Sequence, residues 1–113
     1  MTVNAPISAD EGRRRIEAGA RVVDVRSEAG RQAAGSLLGA EPVAKDAVDG
    51  FATTTDKDEE LVVFCGTTAG SGPVVDYLTE QGFTNVVHVD GGFQALADAG
   101  VPVERVSPDD STT

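Results

Sequence analysis

The chain has 113 residues, of which 40% are hydrophobic and 25% charged, and its formal net charge is -10. A chain of this length buries about two thirds of its unfolded surface in one core, which excludes a second catalytic domain. We expect one domain over residues 1–106 and a disordered polar tail at 107–113. The acidic balance disfavours nucleic-acid binding, and one cysteine with one histidine excludes an internal disulfide and disfavours a zinc site.

The sequence predicts neither a membrane anchor nor a secretion signal. No apolar run approaches the roughly 20 residues that a spanning helix requires. The Met-Thr-Val-Asn-Ala start lacks the basic and apolar regions of a signal peptide. We therefore expect a cytoplasmic protein that does not bind membranes.

The first half of the chain is predicted to contain two helices and a strand. A capping-box pattern at Ser8 predicts a helix from about 9 to 18. The Val-rich segment 21–25 is typical of a buried strand, and residues 45–51 have apolar positions at helical spacing. The polar segment 53–60 is predicted to be a solvated loop.

The second half repeats the alternation of strands and helices. The continuous apolar run 61–65 is the best candidate for a central strand, and 85–89 is a further strand. A helix is predicted from about 72 to 81 with Pro73 in its first turn, and a last helix contains Phe93. This alternation predicts an α/β domain whose mainly parallel sheet is covered by helices on both faces.

Cys65 is predicted at the carboxyl end of the central strand, where parallel sheets bind their ligands. The segment 66–72 that follows contains three glycines and three hydroxyl residues. Such a loop can turn its backbone N–H groups towards one anion. A thiol next to these groups and to a helix N-terminus is expected to be a reactive thiolate or to carry a persulfide. The alternative is a cysteine that serves only as a small buried hydrophobe.

Several segments in this order resemble the rhodanese (sulfurtransferase) domain: Asp24-Val25-Arg26, Gly35-Ser36-Leu37-Leu38-Gly39-Ala40, Val62-Val63-Phe64-Cys65 with its loop, Gly82-Phe83-Thr84-Asn85-Val86, Asp90-Gly91-Gly92-Phe93 and Ala99-Gly100-Val101-Pro102-Val103-Glu104. The resemblance runs from about Ser8 to Glu104. It implies the rhodanese-like fold, with a five-stranded parallel sheet flanked by helices. It also implies that Cys65 carries a sulfane sulfur as a persulfide and that no metal or organic cofactor is needed.

Positions at the carboxyl ends of the predicted strands indicate which residues lie around the thiol. Arg26 is expected to lend positive charge to the site, with Asp24 in support; alternatively, these two residues only tie neighbouring turns together. His88 could be named as a general base, but the resemblance gives its position no role. The predicted substrate-binding loop consists of Gly66, Thr67, Thr68, Ala69, Gly70 and Ser71.

Two positions depart from the pattern of this family. Active members commonly carry a basic residue five positions after the cysteine, where this chain has Gly70, and Ser36 stands where a histidine is usual. An uncharged loop in a chain of net charge -10 weakens thiosulfate as the natural donor. A neutral or protein-bound persulfide donor is therefore favoured.

The leading hypothesis is a sulfurtransferase that takes sulfur from a small donor or a donor protein and passes it to a thiol, a protein cysteine or cyanide. The main alternative is a rhodanese-like binding or regulatory module. Cysteine-dependent phosphatases and arsenate reductases of the same fold need an arginine six positions after the cysteine, where this chain has Ser71. A thiol-disulfide oxidoreductase is disfavoured because no second cysteine can resolve a mixed disulfide. The sequence does not indicate an oligomeric state.

Overall fold

The computed structural model describes residues 6–66 and 68–104, which form five α-helices and six strands. None of the helices in these two ranges is both long and apolar enough to cross a bilayer. The predicted tail 107–113 lies outside the described residues. The helices are α1 (Ala9–Glu17), α2 (Glu28–Ala34), α3 (Val48–Thr54), α4 (Thr68–Glu80) and α5 (Gly92–Asp98), with a 3₁₀ turn at Lys45–Ala47. The strands are β1 (Arg21–Asp24), β2 (Ser36–Leu37), β3 (Glu41–Pro42), β4 (Leu61–Phe64), β5 (Val86–His88) and β6 (Val103–Glu104).

The main sheet is parallel and has the strand order β3-β1-β4-β5. It contains four strands among the described residues, where the resemblance implied five. Ile7 adds an isolated parallel bridge to Val89 beside β5. Strands β2 and β6 form a separate antiparallel pair.

Both faces of the sheet are covered by helices, as predicted. Alternate residues of β1 and β4 point to opposite faces, so that Val22 and Val62 join one apolar cluster while Val23 and Val63 join the other. Helices α3 and α4 pack on the Val23 face, and α1 and α5 pack on the Val22 face. Burying both faces explains why the central strand β4 is a continuous apolar run.

The elements with strong apolar patterns lie where the sequence predicts them. Helix α1 begins after Ser8, whose Oγ accepts a hydrogen bond of 3.1 Å from the Glu11 N–H. Strands β1, β4 and β5 fall within the three predicted strands, and Phe93 is buried on α5 as expected.

Two predicted boundaries are wrong. Helix α4 starts at Thr68 instead of Gly72, so most of the predicted loop is its first turn and Pro73 lies inside the helix. A proline inside a helix removes one hydrogen bond, and its ring crowds the carbonyl four residues earlier. The buried apolar residues that follow Pro73 hold α4 on the sheet nevertheless. Helix α3 continues to Thr54, which shortens the predicted solvated loop of residues 53–60.

Helix α2 is an element that the sequence analysis did not predict. None of its seven residues is buried, so it lacks the apolar stripe that marks an amphipathic helix. Its start is set by Ser27, whose Oγ accepts a hydrogen bond from the Gly30 N–H. An N-cap serine was therefore the available signal for this helix.

Candidate active site

The thiol lies where the central strand β4 ends and the chain turns towards α4. Cys65 directly follows β4 and is partly exposed, and its side chain packs at the edge of the cluster on the Val23 face. A Cβ atom added to Gly70 would stand 2.7 Å from the Cys65 Sγ. Glycine at this position therefore allows the first turn of α4 to lie against the sulfur.

A second glycine brings α5 close to the same residue. Gly92 has φ +63°, and a Cβ added there would stand 2.2 Å from the Cys65 carbonyl oxygen. That oxygen accepts a hydrogen bond of 2.9 Å from the Phe93 N–H. The backbone of Cys65 is thus fixed by the start of α5 while its side chain faces α4.

The predicted binding loop is described in part. Gly66 is exposed and Gly70 lies beside the sulfur. Thr67 lies outside the described residues, and Thr68 and Ala69 are described only as the backbone at the start of α4. Substrate binding by these residues stays a prediction.

Ser71 points away from the cavity. Its side chain is fully buried, and its Oγ lies 2.8 Å from Nδ1 of His88, which is also buried. This hydrogen bond joins α4 to β5. The geometry gives His88 a structural contact rather than the position of a general base, and the predicted substrate contact of Ser71 would have to come from its backbone.

Arg26 and Asp24 form a buried ion pair at the carboxyl end of β1. Their side chains are 5% and 1% exposed, and the shortest of their contacts joins Arg26 Nη2 to Asp24 Oδ2 at 2.7 Å. The Arg26 backbone N–H and Nε also donate to Asp24, and Nη2 donates to the Gly35 carbonyl at 2.8 Å. The carboxylate therefore neutralises the charge that Arg26 was expected to lend to the site.

The Arg26 guanidinium also stacks on aromatic rings next to the thiol. It lies 4.2 Å from the centroid of Phe93 and 5.5 Å from that of Phe64. Since the Phe93 N–H holds the Cys65 carbonyl, Arg26 supports the backbone of the nucleophile through one intermediate residue. This is the tying role that the sequence analysis weighed as the alternative.

Lys45 is a charged residue near the thiol that the sequence analysis did not place in the site. Its Nζ lies 3.4 Å from the point where a Gly70 Cβ would stand, and Cys65 Sγ lies 2.7 Å from that point. The ammonium and the sulfur are therefore no more than about 6 Å apart. Lys45 begins the 3₁₀ turn after β3, and α3 and β4 separate it in sequence from the loop that follows Cys65.

A cavity of about 780 Å³ opens in front of the sulfur. It lies between α2, the 3₁₀ turn and the start of α5, at the carboxyl edge of the parallel sheet. Among residues 6–66 and 68–104 there is no group of three or more side chains of the types that hold metal ions. The cavity is lined by Val25, Arg26, Ser27, Gly30, Ala34, Ala44, Lys45, Asp46, Cys65, Gly66, Phe93 and Gln94.

Comparison with known proteins agrees with this arrangement. The family model described as a rhodanese-like domain matches residues 8–99. The chain belongs to the rhodanese-like family. The fold and the family that the sequence resemblance implied are confirmed.

Curated relatives of this rhodanese-like domain carry the name thiosulfate sulfurtransferase GlpE. The protein from Pseudomonas paraeruginosa is 34% identical over 88 residues, which cover 78% of this chain and 79% of the relative. The protein from Pseudomonas putida KT2440 is 38% identical over 90 residues, covering 80% of each chain. The chain therefore falls in a sulfurtransferase family.

Solved structures of rhodanese-like domains superpose on most of the chain. A rhodanese-like domain protein from Staphylococcus aureus is 27% identical, with a TM-score of 0.75 over 90% of this chain and 98% of that one. The Alr3790 protein from Anabaena gives a TM-score of 0.78 over 94% and 86% of the two chains at 24% identity, a likeness of fold.

Proposed function

We propose that this rhodanese-like domain is a sulfurtransferase in which Cys65 carries the transferred sulfur as a persulfide. The observation that carries the proposal is the place of Cys65, at the end of β4, against the first turn of α4 and open to a cavity. Family membership and the name of the curated relatives support the same reaction.

The reaction is a double displacement on sulfur. The Cys65 thiolate attacks the outer sulfur of a donor such as thiosulfate, the sulfur–sulfur bond of the donor breaks, and sulfite leaves with the electron pair. Cys65 then carries the transferred sulfur as a persulfide anion. In the second half, an acceptor such as cyanide attacks the outer sulfur, thiocyanate departs, and the electron pair of the broken bond restores the thiolate. A thiol or a protein cysteine would accept the sulfur in the same way.

The first turn of α4 has the geometry to stabilise the Cys65 thiolate and the Cys65 persulfide. The unpaired backbone N–H groups and the dipole at a helix N-terminus attract negative charge. Because Gly70 has no side chain, the helix approaches the sulfur closely enough for this attraction to act on it. We assign the binding of the persulfide to the backbone of residues 66–71, with Arg26 and Asp24 as positioning residues that hold the neighbouring backbone.

Steady-state kinetics test the proposed reaction. With thiosulfate and cyanide varied together, thiocyanate formation should follow double-displacement kinetics, which give parallel lines in a reciprocal plot. Cys65→Ser should reduce the rate to the background without protein. The proposal fails if Cys65→Ser retains the activity of the wild type, or if wild-type protein forms no thiocyanate with either thiosulfate or a small persulfide as donor.

A further inference from the structure

The active-site segment of this chain has no positive charge of its own. Residues 66–72 contain no charged side chain, and the protein carries a formal net charge of -10. An anionic donor that approaches the cavity is therefore repelled by the molecule as a whole. Arg26 does not offset this repulsion, because Asp24 pairs with it in the interior.

Lys45 brings a cation into the cavity from a different element. Its ammonium and the Cys65 sulfur both lie close to the Gly70 position, at most about 6 Å apart. Within the part of the chain that the structure describes, no carboxylate lies within ion-pair distance of Lys45. Asp46 also lines the cavity, but none of the three atoms nearest to the Gly70 position belongs to it.

The fold fixes the place of this lysine. Strand β3 pairs in parallel with β1, and the Val43 N–H donates to the Asp24 carbonyl at 2.8 Å directly beyond that pair. The 3₁₀ turn that starts at Lys45 follows at once. The side chain therefore reaches the carboxyl edge of β4 although it is 20 residues before Cys65 in the sequence.

We propose that Lys45 is the anion-recognition residue of this site and that it selects small anionic sulfur donors of the thiosulfate type. The inference rests on the proposed function and deepens it. The ammonium would face the sulfonate end of the donor while the outer sulfur meets Cys65, and it would offset the charge of the departing sulfite. This assignment reverses the preference for neutral or protein-bound donors that the uncharged loop suggested.

A pair of alkylating reagents tests the charge effect without any sulfur transfer. Iodoacetate is an anion and iodoacetamide is its neutral analogue, and both alkylate a thiolate. The rate constant for iodoacetate divided by that for iodoacetamide, both at Cys65, therefore reports the local attraction for anions. Lys45→Met should lower the ratio at least about threefold, the size of one unit-charge interaction at 6 Å in water. Lys45→Arg should keep the ratio close to that of the wild type, and added salt should reduce the difference.

A matched variant separates the effect of a charge near Cys65 from the effect of the net charge of the protein. Arg14→Gln removes the same unit of charge from an exposed side chain on α1. The neighbouring Arg15 contacts Glu60 just before β4, which places this part of α1 at the amino edge of the sheet, opposite Cys65. Arg14→Gln should leave the ratio unchanged. Equal ratios for Lys45→Met and wild type, or equal losses in Lys45→Met and Arg14→Gln, overturn the assignment.

Donor kinetics then connect Lys45 to the reaction. Lys45→Met should raise the KM for thiosulfate at least about threefold while changing turnover with a neutral organic persulfide much less. An unchanged KM overturns the assigned donor selectivity and leaves the function of Cys65 standing. If the protein accepts sulfur from no donor, the proposed function is contradicted, and the donor selectivity with it. This holds even if the alkylation ratio falls in Lys45→Met.

Discussion

At the scale of single residues, Gly92 is the clearest requirement of the site, because its positive φ and its contact with Cys65 both exclude a side chain. Gly92→Ala should lower the free energy of unfolding by about 2 kcal/mol or more, and urea denaturation measures this loss. Gly39 also has a positive φ, of +84°, but open space around it, so Gly39→Ala should cost only about 1 kcal/mol. Equal losses in the two variants would show that the contact with the Cys65 carbonyl does not matter.

The Asp24–Arg26 pair should behave as a buried structural pair. Asp24→Asn keeps the shape of the side chain but leaves the Arg26 charge without its carboxylate, which should cost about 3–5 kcal/mol. Glu17→Gln breaks the exposed ion pair with Arg13 and should cost less than about 1 kcal/mol. Chemical denaturation compares the two. A small loss in Asp24→Asn would mean that Arg26 is free to serve a substrate instead.

The position of Cys65 at the end of the central strand could be predicted from the sequence. The net charge of the side chains around it, Arg26 and Lys45, could not. A single cysteine after the most apolar strand, followed by a glycine-rich segment, is a local pattern. The pairing of Arg26 with Asp24 is also local, but whether the charge is neutralised depends on burial, which spacing does not reveal. Lys45 reaches the site only because β3 lies beside β1, a contact between distant segments.

At the scale of elements, the Arg21–Glu41 pair joins β1 to β3 and so supports the strand that leads to Lys45. Arg21 Nε and Nη2 donate to Glu41 at 2.8 and 3.0 Å. These hydrogen bonds hold the pKa of Glu41 below its ordinary value of 4.5, against the opposing effect of desolvation. The same bonds raise the pKa of Arg21.

This shift predicts a pH dependence of stability. A carboxyl group whose pKa is lowered in the folded state stabilises the protein above its unfolded pKa, and the stabilisation is lost as the pH falls through the folded value. Glu41→Gln should therefore lower the free energy of unfolding by about 0.5 kcal/mol at neutral pH, since both side chains are more than a third exposed. Denaturation at a series of pH values should show the difference vanishing in acid. A difference that persists below the folded pKa would contradict this role.

The elements that the sequence predicts correctly are those with a strong apolar pattern. Strand β4 is a continuous apolar run that is fully buried, β1 and β5 contain adjacent valines, and α1 has its cap at Ser8. Strands β2, β3 and β6 have two residues each, too few to show a period. The start of α4 was misplaced because Pro73 was assigned to a first turn, whereas packing on the sheet holds it inside the helix.

At the scale of the whole molecule, the parallel sheet gathers the site at one edge. The carboxyl ends of β1, β3 and β4 lead to Arg26, Lys45 and Cys65, and α2 and α5 contribute the helical walls of the cavity between them. One core on each face of the sheet holds these ends in place. A parallel arrangement thus brings together residues that lie far apart along the chain.

Intact-mass spectrometry tests the central claim, that Cys65 carries sulfur, most directly. Wild-type protein and Cys65→Ser are incubated with thiosulfate or a small persulfide and then with cyanide. We expect the mass of one sulfur atom to be added to the wild type and not to Cys65→Ser, and to be removed by cyanide. With thiosulfate as donor, the wild type should be loaded more completely than Lys45→Met. If neither donor loads the protein while iodoacetamide modifies Cys65 readily, the thiol is accessible but carries no sulfur. That result would contradict the account and favour a rhodanese-like binding module.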